Sequence, residues 1–388
     1  MKKNNTRIIP LSLAFALPLC AAQHASAALT LYDGDNTSFT TDGYINAFYV
    51  HNEVDRPGDQ FDRRQARVKM GFLPNYLGFN MKRQAGDLTL GARASFWVTI
   101  NDSEVNGTGT AIDVRQFYGT VGGGFGEVLI GKDFGLFARS NILRDELLAG
   151  YGQASDTLGL MDGTGVSFGN IGTGYPYPFP SSQITWRSPA MSGVNIAVGI
   201  FDPYDTTEVG GAGKAYQDAP RVESEVSYQM DLGGATVYAW INGAYQTSKN
   251  TDSTVDEVSS RGVGYGVQVK VADLSLTASG FDAKGIHPLF SNNLGQANLQ
   301  EIDSDGYLVQ GAYQFGKARL ALSYGRTDDD GLVLGSAAEY ENKAVMLSYA
   351  VNDYLNLVSN FSRFEIDDTA AGELESTDTL AVGATVSW

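Results

Sequence analysis

Residues 88–100 read LTLGARASFWVTI and alternate without a slip. Leu88, Leu90, Ala92, Ala94, Phe96, Val98 and Ile100 fall on one face of an extended chain. Thr89, Gly91, Arg93, Ser95, Trp97 and Thr99 fall on the other. A period of two marks a β-strand whose faces meet different surroundings. Here the apolar face is unbroken, while the opposite face carries a full charge. A stretch of about ten such residues is the length a tilted strand needs to cross a bilayer.

The pattern returns at Val194/Ile196/Val198/Ile200, Val222/Val226/Tyr228/Met230, Val263/Tyr265/Val267/Val269/Val271, Tyr307/Val309/Gly311/Tyr313/Phe315, Leu320/Leu322/Tyr324 and Val345/Leu347/Tyr349. Connections alternate in length. Short turns fall at 83–87, 122–127, 188–193, 231–235, 271–274, 315–318 and 351–354. Long polar segments fall at His51–Arg64, Asn101–Ala111, Phe134–Ser181, Asp202–Ala219, Ser248–Gly262, Lys284–Asp305, Thr327–Asn342 and Asp367–Asp378. Seven short and eight long connections join sixteen strands and leave both chain ends on the short-turn side. A soluble β-sandwich has frequent turns but does not predict this strict alternation. An outer-membrane barrel does, because one rim faces the periplasm and the other the outside. Beyond the leader no run of about 18 apolar residues occurs, so a transmembrane helix is excluded. A closed barrel is the other structure that satisfies every backbone group in lipid. The expected fold is all-β: one transmembrane antiparallel β-barrel of sixteen strands, residues 28–388. Tyr228, Tyr313, Phe315, Tyr324, Tyr349 and Trp388 fall at strand ends on the apolar face, as interface girdles require.

Residues 1–27 read as a cleaved secretory signal. Lys2, Lys3 and Arg7 precede a short apolar stretch centred on residues 11–19, and Ala25-Ser26-Ala27 is a small-x-small cleavage pattern. The apolar stretch is too short to span a bilayer. Cys20 is the only cysteine, so the exported chain gains no stability from disulfides. The formal net charge is −17, which argues against nucleic acid as a partner. Abundant Tyr and Phe argue against a disordered acidic chain.

Three stretches resemble the general porin family of Gram-negative outer membranes. In RQFYGTVGGGFGEVLIGKDFG, Arg115–Gly135, an arginine-led strand runs to Gly119, turns at Phe125-Gly126, and returns to Gly131-Lys132. QITWRSPAMSGVNIAVGI, Gln183–Ile200, has an aromatic-Arg pair, a short turn and an alternating strand. TLAVGATVSW, Thr379–Trp388, ends on an aromatic residue. The resemblance implies a homotrimer of water-filled barrels in the outer membrane, passing small hydrophilic solutes by diffusion. It also implies a third loop folded into the lumen, with basic wall residues facing acidic loop residues across a constriction. Arg115 and Arg187 match the family's arginine positions in the fourth and sixth strands, and Arg67 the position in the second.

The alternation supports Arg67 and Arg187 and adds Lys69 and Arg93. Arg67 and Lys69 share one face, Arg93 lies on the polar face of its strand, and Arg187 shares a face with Gln183 and Thr185. A charge on the lipid face at the midplane costs roughly 2–4 kcal/mol, so these faces should line the lumen. The longest connection, Phe134–Ser181, carries Asp145, Glu146, Asp156 and Asp162 as the opposing acids. It departs from enterobacterial members by lacking Pro-Glu-Phe-Gly-Gly and by ending in GYPYPFPSS. There Pro176, Pro178 and Pro180 alternate with aromatics in a stiff, donor-poor segment. That segment either returns the chain to the wall, braces the loop, or forms an aromatic slide for a solute.

Catalytic sets are absent. Beyond the leader the histidines are His51 and His287, both in expected external loops, so a Ser-His-Asp set in the lumen has none to use. No cofactor is expected. DSDG (Asp303–Gly306) and DDDG (Asp328–Gly331) lack the spacing of a calcium loop and read as turns, although the acidic loops as a group could gather divalent cations beside lipopolysaccharide. The expected function is passive diffusion of small hydrophilic solutes and ions. The alternative is a porin-like channel selective for a class such as dicarboxylates, sugars or phosphate. Trp388 closes the last strand at the periplasmic interface; by resemblance it is also the signal for the assembly machinery, where Phe is usual.

Overall fold

The computed structural model describes residues 28–58, 62–103, 107–108, 112–163, 165–204, 215–250, 257–290 and 301–388. The expected leader at 1–27 and the tips of several long loops lie outside the described residues. The wall strands are β1 (Thr37–Asp55), β2 (Arg63–Lys69, continued as Asn75–Ala85), β3 (Leu88–Val98), β4 (Ile112–Gly123), β5 (Gly126–Phe134), β6 (Pro180–Arg187), β7 (Val194–Phe201) and β8 (Arg221–Asp231). The other half holds β9 (Ala235–Asn250), β10 (Glu257–Val271), β11 (Leu274–Lys284), β12 (Asp303–Phe315), β13 (Ala318–Asp329), β14 (Ala338–Ala350), β15 (Leu355–Asp368) and β16 (Gly372–Ser387).

The sheet contains 19 hydrogen-bonded segments. The arm Leu29–Gly34 lies on the start of β1, Ala215–Tyr216 pairs with the end of β9, and β2 is one strand in two parts. The result is a closed 16-stranded antiparallel barrel. Closure runs from Tyr44↔Ser387 to Asp55↔Ser376 between β1 and β16. At its lower end Gly43 and Trp388 exchange backbone hydrogen bonds of 3.0 and 3.1 Å. Among the described residues this closure leaves no edge of the sixteen wall strands for lipid to satisfy.

The alternation read from the sequence sorts the two faces. On β3, Arg93, Ser95 and Trp97 are buried inward while Leu88 and Val98 are exposed. Ile130, Ile184, Val309 and Leu322 are each more than half exposed, which suits a wall facing lipid and not water. Among the described residues no helix is long and apolar enough to cross a membrane.

Two departures from the expected pattern have physical causes. The first is a break in β2 at 70–74, where Met70, Phe72 and Leu73 are buried instead of alternating. Asparagines take up the freed backbone groups. Met70 N donates to Asn101 Oδ1 (2.7 Å), Gly71 N to Asn46 Oδ1 (2.6 Å), and Asn46 Nδ2 to Leu73 O (2.8 Å). The second is at the outer rim. The segment Asp367–Asp378, expected to be a long loop, is mostly strand: β15 and β16 run on to Asp368 and Gly372. Likewise the connection expected at Thr327–Asn342 shrinks to 330–337. Polarity inverts above the membrane. Tyr340, Phe364 and Ile366 form a buried cluster inside, while Lys343, Arg363 and Glu365 pair outside. Charged outer faces imitate loop composition while the period of two continues.

A Cβ on Gly43 would stand 2.2 Å from the Trp388 indole, so the closing ring lies directly on this backbone. Gly43→Leu is therefore expected to weaken closure by about 1–3 kcal/mol, the usual cost of overpacking. Semi-native electrophoresis should then show the folded barrel converting at a lower temperature than wild type. An unchanged conversion temperature would mean the indole does not hold the seam.

Candidate functional site

β5 ends at Phe134 and β6 begins at Pro180, leaving residues 135–179 as the longest connection. Its turn away from β5 is held by the far wall. The carboxylate of Glu223 on β8 accepts Leu136 N (2.6 Å) and Phe137 N (2.9 Å), and Asn242 Oδ1 on β9 accepts Ala138 N (2.9 Å). Ala138, at φ 61°, then opens the short helix α1 (Arg139–Leu143).

Beyond α1 the chain bonds to inward side chains of successive strands. Glu146 accepts from Gln268 on β10 (2.8 Å) and Thr277 on β11 (2.9 Å), and pairs with buried Arg319 on β13. Asp145 accepts from Gln310 on β12 (2.7 Å), Leu147 N (2.8 Å), Asn170 and Tyr175. Burial pushes the Asp145 carboxyl above its ordinary value against the pull of these donors, and burial beside Asp145 pushes the Tyr175 hydroxyl well up. Asn360 Oδ1 on β15 accepts Tyr151 N (3.0 Å) and Gly152 N (2.8 Å). Asn342 on β14 donates to Asn170 (2.9 Å), and Gly174 N to Thr327 on β13 (2.9 Å). At Gly325 a Cβ would stand 2.1 Å from Thr173 O, so loop backbone lies on wall backbone. Leu147 and Tyr151 fill an apolar cluster with Phe48, Met346 and Val358 from the wall.

The expected charge pairs divide. Asp156 and Asp162 meet the wall at β2: Arg63 bridges them at 2.7 and 2.6 Å, and Arg67 lies 3.8 Å from Asp162. Lys69 donates to Gly163 O (2.7 Å). Asp145 and Glu146 do not face these arginines; they are buried against β10–β13. Arg93 is held in the wall by Asp42 (2.9 Å), Asn80 and Gln116. Arg187 lies 3.5 Å from Glu127 and 3.7 Å from Asp133.

Arg115 depends on an irregularity. Phe117 faces out, so strict alternation would send Arg115 outward too. The β3–β4 register slips between Ser95↔Gln116 and Trp97↔Asp113, and such a bulge re-aims a side chain. The guanidinium lies 5.2 Å from the Trp97 ring centre, donates to Asp113 Oδ2 (2.7 Å) and donates to Tyr177 OH (2.9 Å). Tyr177 belongs to the Pro-aromatic segment. Its neighbour Phe179 sits edge-on to Tyr204 and Phe290, so this segment braces the loop against the wall and against the connection after β11.

Sequence reading missed Arg56, Arg63, Glu223, Arg319 and Glu375. Arg56 donates to both Asp156 (2.9 Å) and Glu375 (2.8 Å). Arg63 had a signal, because it shares the face of Gln65, Arg67 and Lys69. The turn reading of DDDG is visible at Asp329, whose carboxylate accepts the amides of Gly331, Leu332 and Val333.

His287, in the connection after β11, is mostly buried beside Phe290, and burial lowers its pKa to about 4. A base depressed from about 6.5 in the unfolded chain adds stability above that pH and loses it as pH falls toward 4. The difference amounts to roughly 3 kcal/mol. Hydrogen-exchange protection at 285–290, taken relative to the intrinsic exchange rate at each pH, should therefore fall between pH 6.5 and pH 4, and His287→Phe should remove that dependence. Protection that stays constant over this range in the wild type would contradict the burial of a neutral His287.

A sequence model of the Gram-negative porin family matches residues 12–386. No curated protein sequence matches the chain. Among solved structures it is similar to the outer membrane channel DcaP of Acinetobacter baumannii, with TM-score 0.68 and 16% identity over 93% of this chain and 100% of that one. It is also similar to an anion-selective porin from Comamonas acidovorans, with TM-score 0.65 and 14% identity over 91% and 100%. The trimer form of OmpT from Vibrio cholerae gives TM-score 0.51 and 14% identity over 91% and 100%. Family and fold are those of channels, and the chain belongs to the Gram-negative porin family of the outer membrane, forming a channel for passive diffusion.

Proposed function

We propose that residues 135–179 narrow the channel and that solutes pass beside them along the sector of β3–β6. The observation that carries this is the two-sided anchoring of the loop. One side is tied to β2 through Arg63, Asp156 and Asp162, the other to β10–β13 through Asp145 and Glu146. Arg115, tied to the loop through Tyr177, and Arg187, paired with the wall residues Glu127 and Asp133, are partly exposed, at 18% and 25%. Mechanism is then electrostatic screening, not catalysis: pore width limits size and fixed charges set ion preference. Arg144 and Lys132 have no carboxylate partner among the described residues, which supports a weak anion preference within an acidic chain. Net acidity lies largely at the outer rim, where it raises cation concentration at the mouth.

A homotrimer fits the same architecture. Outward faces of β3–β5 carry Ala92, Ala94, Gly119, Val121 and Ile130, small or apolar residues that allow close approach of another barrel. Trp388 at the seam is suited to engagement by the assembly machinery.

Arg115→Ala and Arg187→Ala are expected to move the zero-current potential in a salt gradient toward cation preference, with the barrel still folded. Planar-bilayer recording reads this directly. Unchanged selectivity in both variants would put the narrow region elsewhere.

A further inference from the structure

A cavity of about 140 Å³ lies between the loop and the β2–β6 wall. Phe72, Trp97, Phe134 and Tyr177 supply its apolar surface, and Arg115 and Lys132 supply its charge, with Asp113 beside them. That volume is close to the roughly 150 Å³ of an apolar protein cavity that accepts one benzene ring. Three features fix the chemistry of an occupant. Arg115 stacks near the faces of Trp97 and Tyr177 at 5.2 and 5.9 Å, so its plane is held rigidly. Its Nε and Nη1 are engaged, while Nη2 makes no hydrogen bond among the described residues. Lys132 likewise has no partner among the described residues. Two cationic donor groups against one carboxylate leave the rim net positive, while the rest of the lining is aromatic and aliphatic.

We propose that this cavity is a binding subsite for small planar aromatic carboxylates, the ring lying among Trp97, Phe134 and Tyr177 and the carboxylate meeting Arg115 and Lys132. The assignment rests on the channel reading for access but not for affinity. A sugar of the same size would need hydrogen-bond pairs around its ring, and the lining offers few. A small aliphatic anion would leave the aromatic surface uncovered, losing the contribution that scales with buried apolar area. A neutral aromatic would leave the charged donors unmatched.

Binding is measured by calorimetry on the full chain in detergent, with benzoate, acetate, benzyl alcohol and benzylamine as probes. Benzoate should bind at least about tenfold more tightly than each of the others, because both the ring and the charge are required. Arg115→Gln and Lys132→Gln should each weaken benzoate about tenfold or more. Lys132→Gln keeps the test open if the Arg115 variant does not fold. Equal binding of acetate and benzoate, or benzoate affinity unmoved in the folded variants, overturns the subsite. Bilayer conductance is recorded on the same samples. Conductance with no benzoate binding sinks the subsite alone. Arg115-dependent binding without conductance sinks the channel reading and leaves the subsite standing.

Discussion

Lipid offers no hydrogen-bond partner, and everything else in this chain follows from that constraint. Each wall strand must give its N–H and C=O groups to two neighbours, and the last strand must meet the first. The β1–β16 ladder does this down to the backbone exchange between Gly43 and Trp388. Once the sheet is closed, side chains have only two destinations. Apolar residues face the bilayer, and the polar alternates are gathered in a space where water and the loop can satisfy them.

That gathering is what positions the loop. A segment as long as 135–179 carries many backbone amides, and burying them unpaired would be costly. The wall supplies acceptors and donors at matching heights: Glu223, Asn242, Gln310, Asn342 and Asn360 each bond to it. Between these contacts the apolar residues Leu147 and Tyr151 pack against the wall. Removing either partner of the buried Glu146–Arg319 pair would leave the other charge buried and unpaired, which usually costs about 3–5 kcal/mol. Charge, amide and apolar contacts therefore hold one loop to opposite sides of one barrel.

Most of the wall was legible in the sequence because lipid imposes a period of two with an unbroken apolar face. Loop boundaries were less so at the outer rim. There the outer face meets water, Lys343, Glu365 and Arg363 replace leucine and valine, and strand reads like loop. Arg67 and Lys69 were readable from their shared face, and Arg63 was hidden only because it fell within the expected loop His51–Arg64, ahead of its strand. Asp145 and Glu146 stand in the expected loop, but composition alone does not say which wall a carboxylate meets; that depends on Arg319 and Gln310, far along the chain. Arg115 points inward through a bulge, which alternation cannot reveal. The neutral amides carry no sequence signal as strong as a charge, although Asn and Gln recurring on inward faces of apolar strands were the available hint.

The central claim is that the anchored loop sets the width and the ionic character of the channel. It is tested most directly by single-channel recording of a variant in which residues 139–172 are replaced by a short flexible linker, with circular dichroism to verify the β-barrel. The account predicts a larger conductance and a weaker anion preference than the full chain gives under the same conditions. Conductance and selectivity equal to those of the full chain would contradict it.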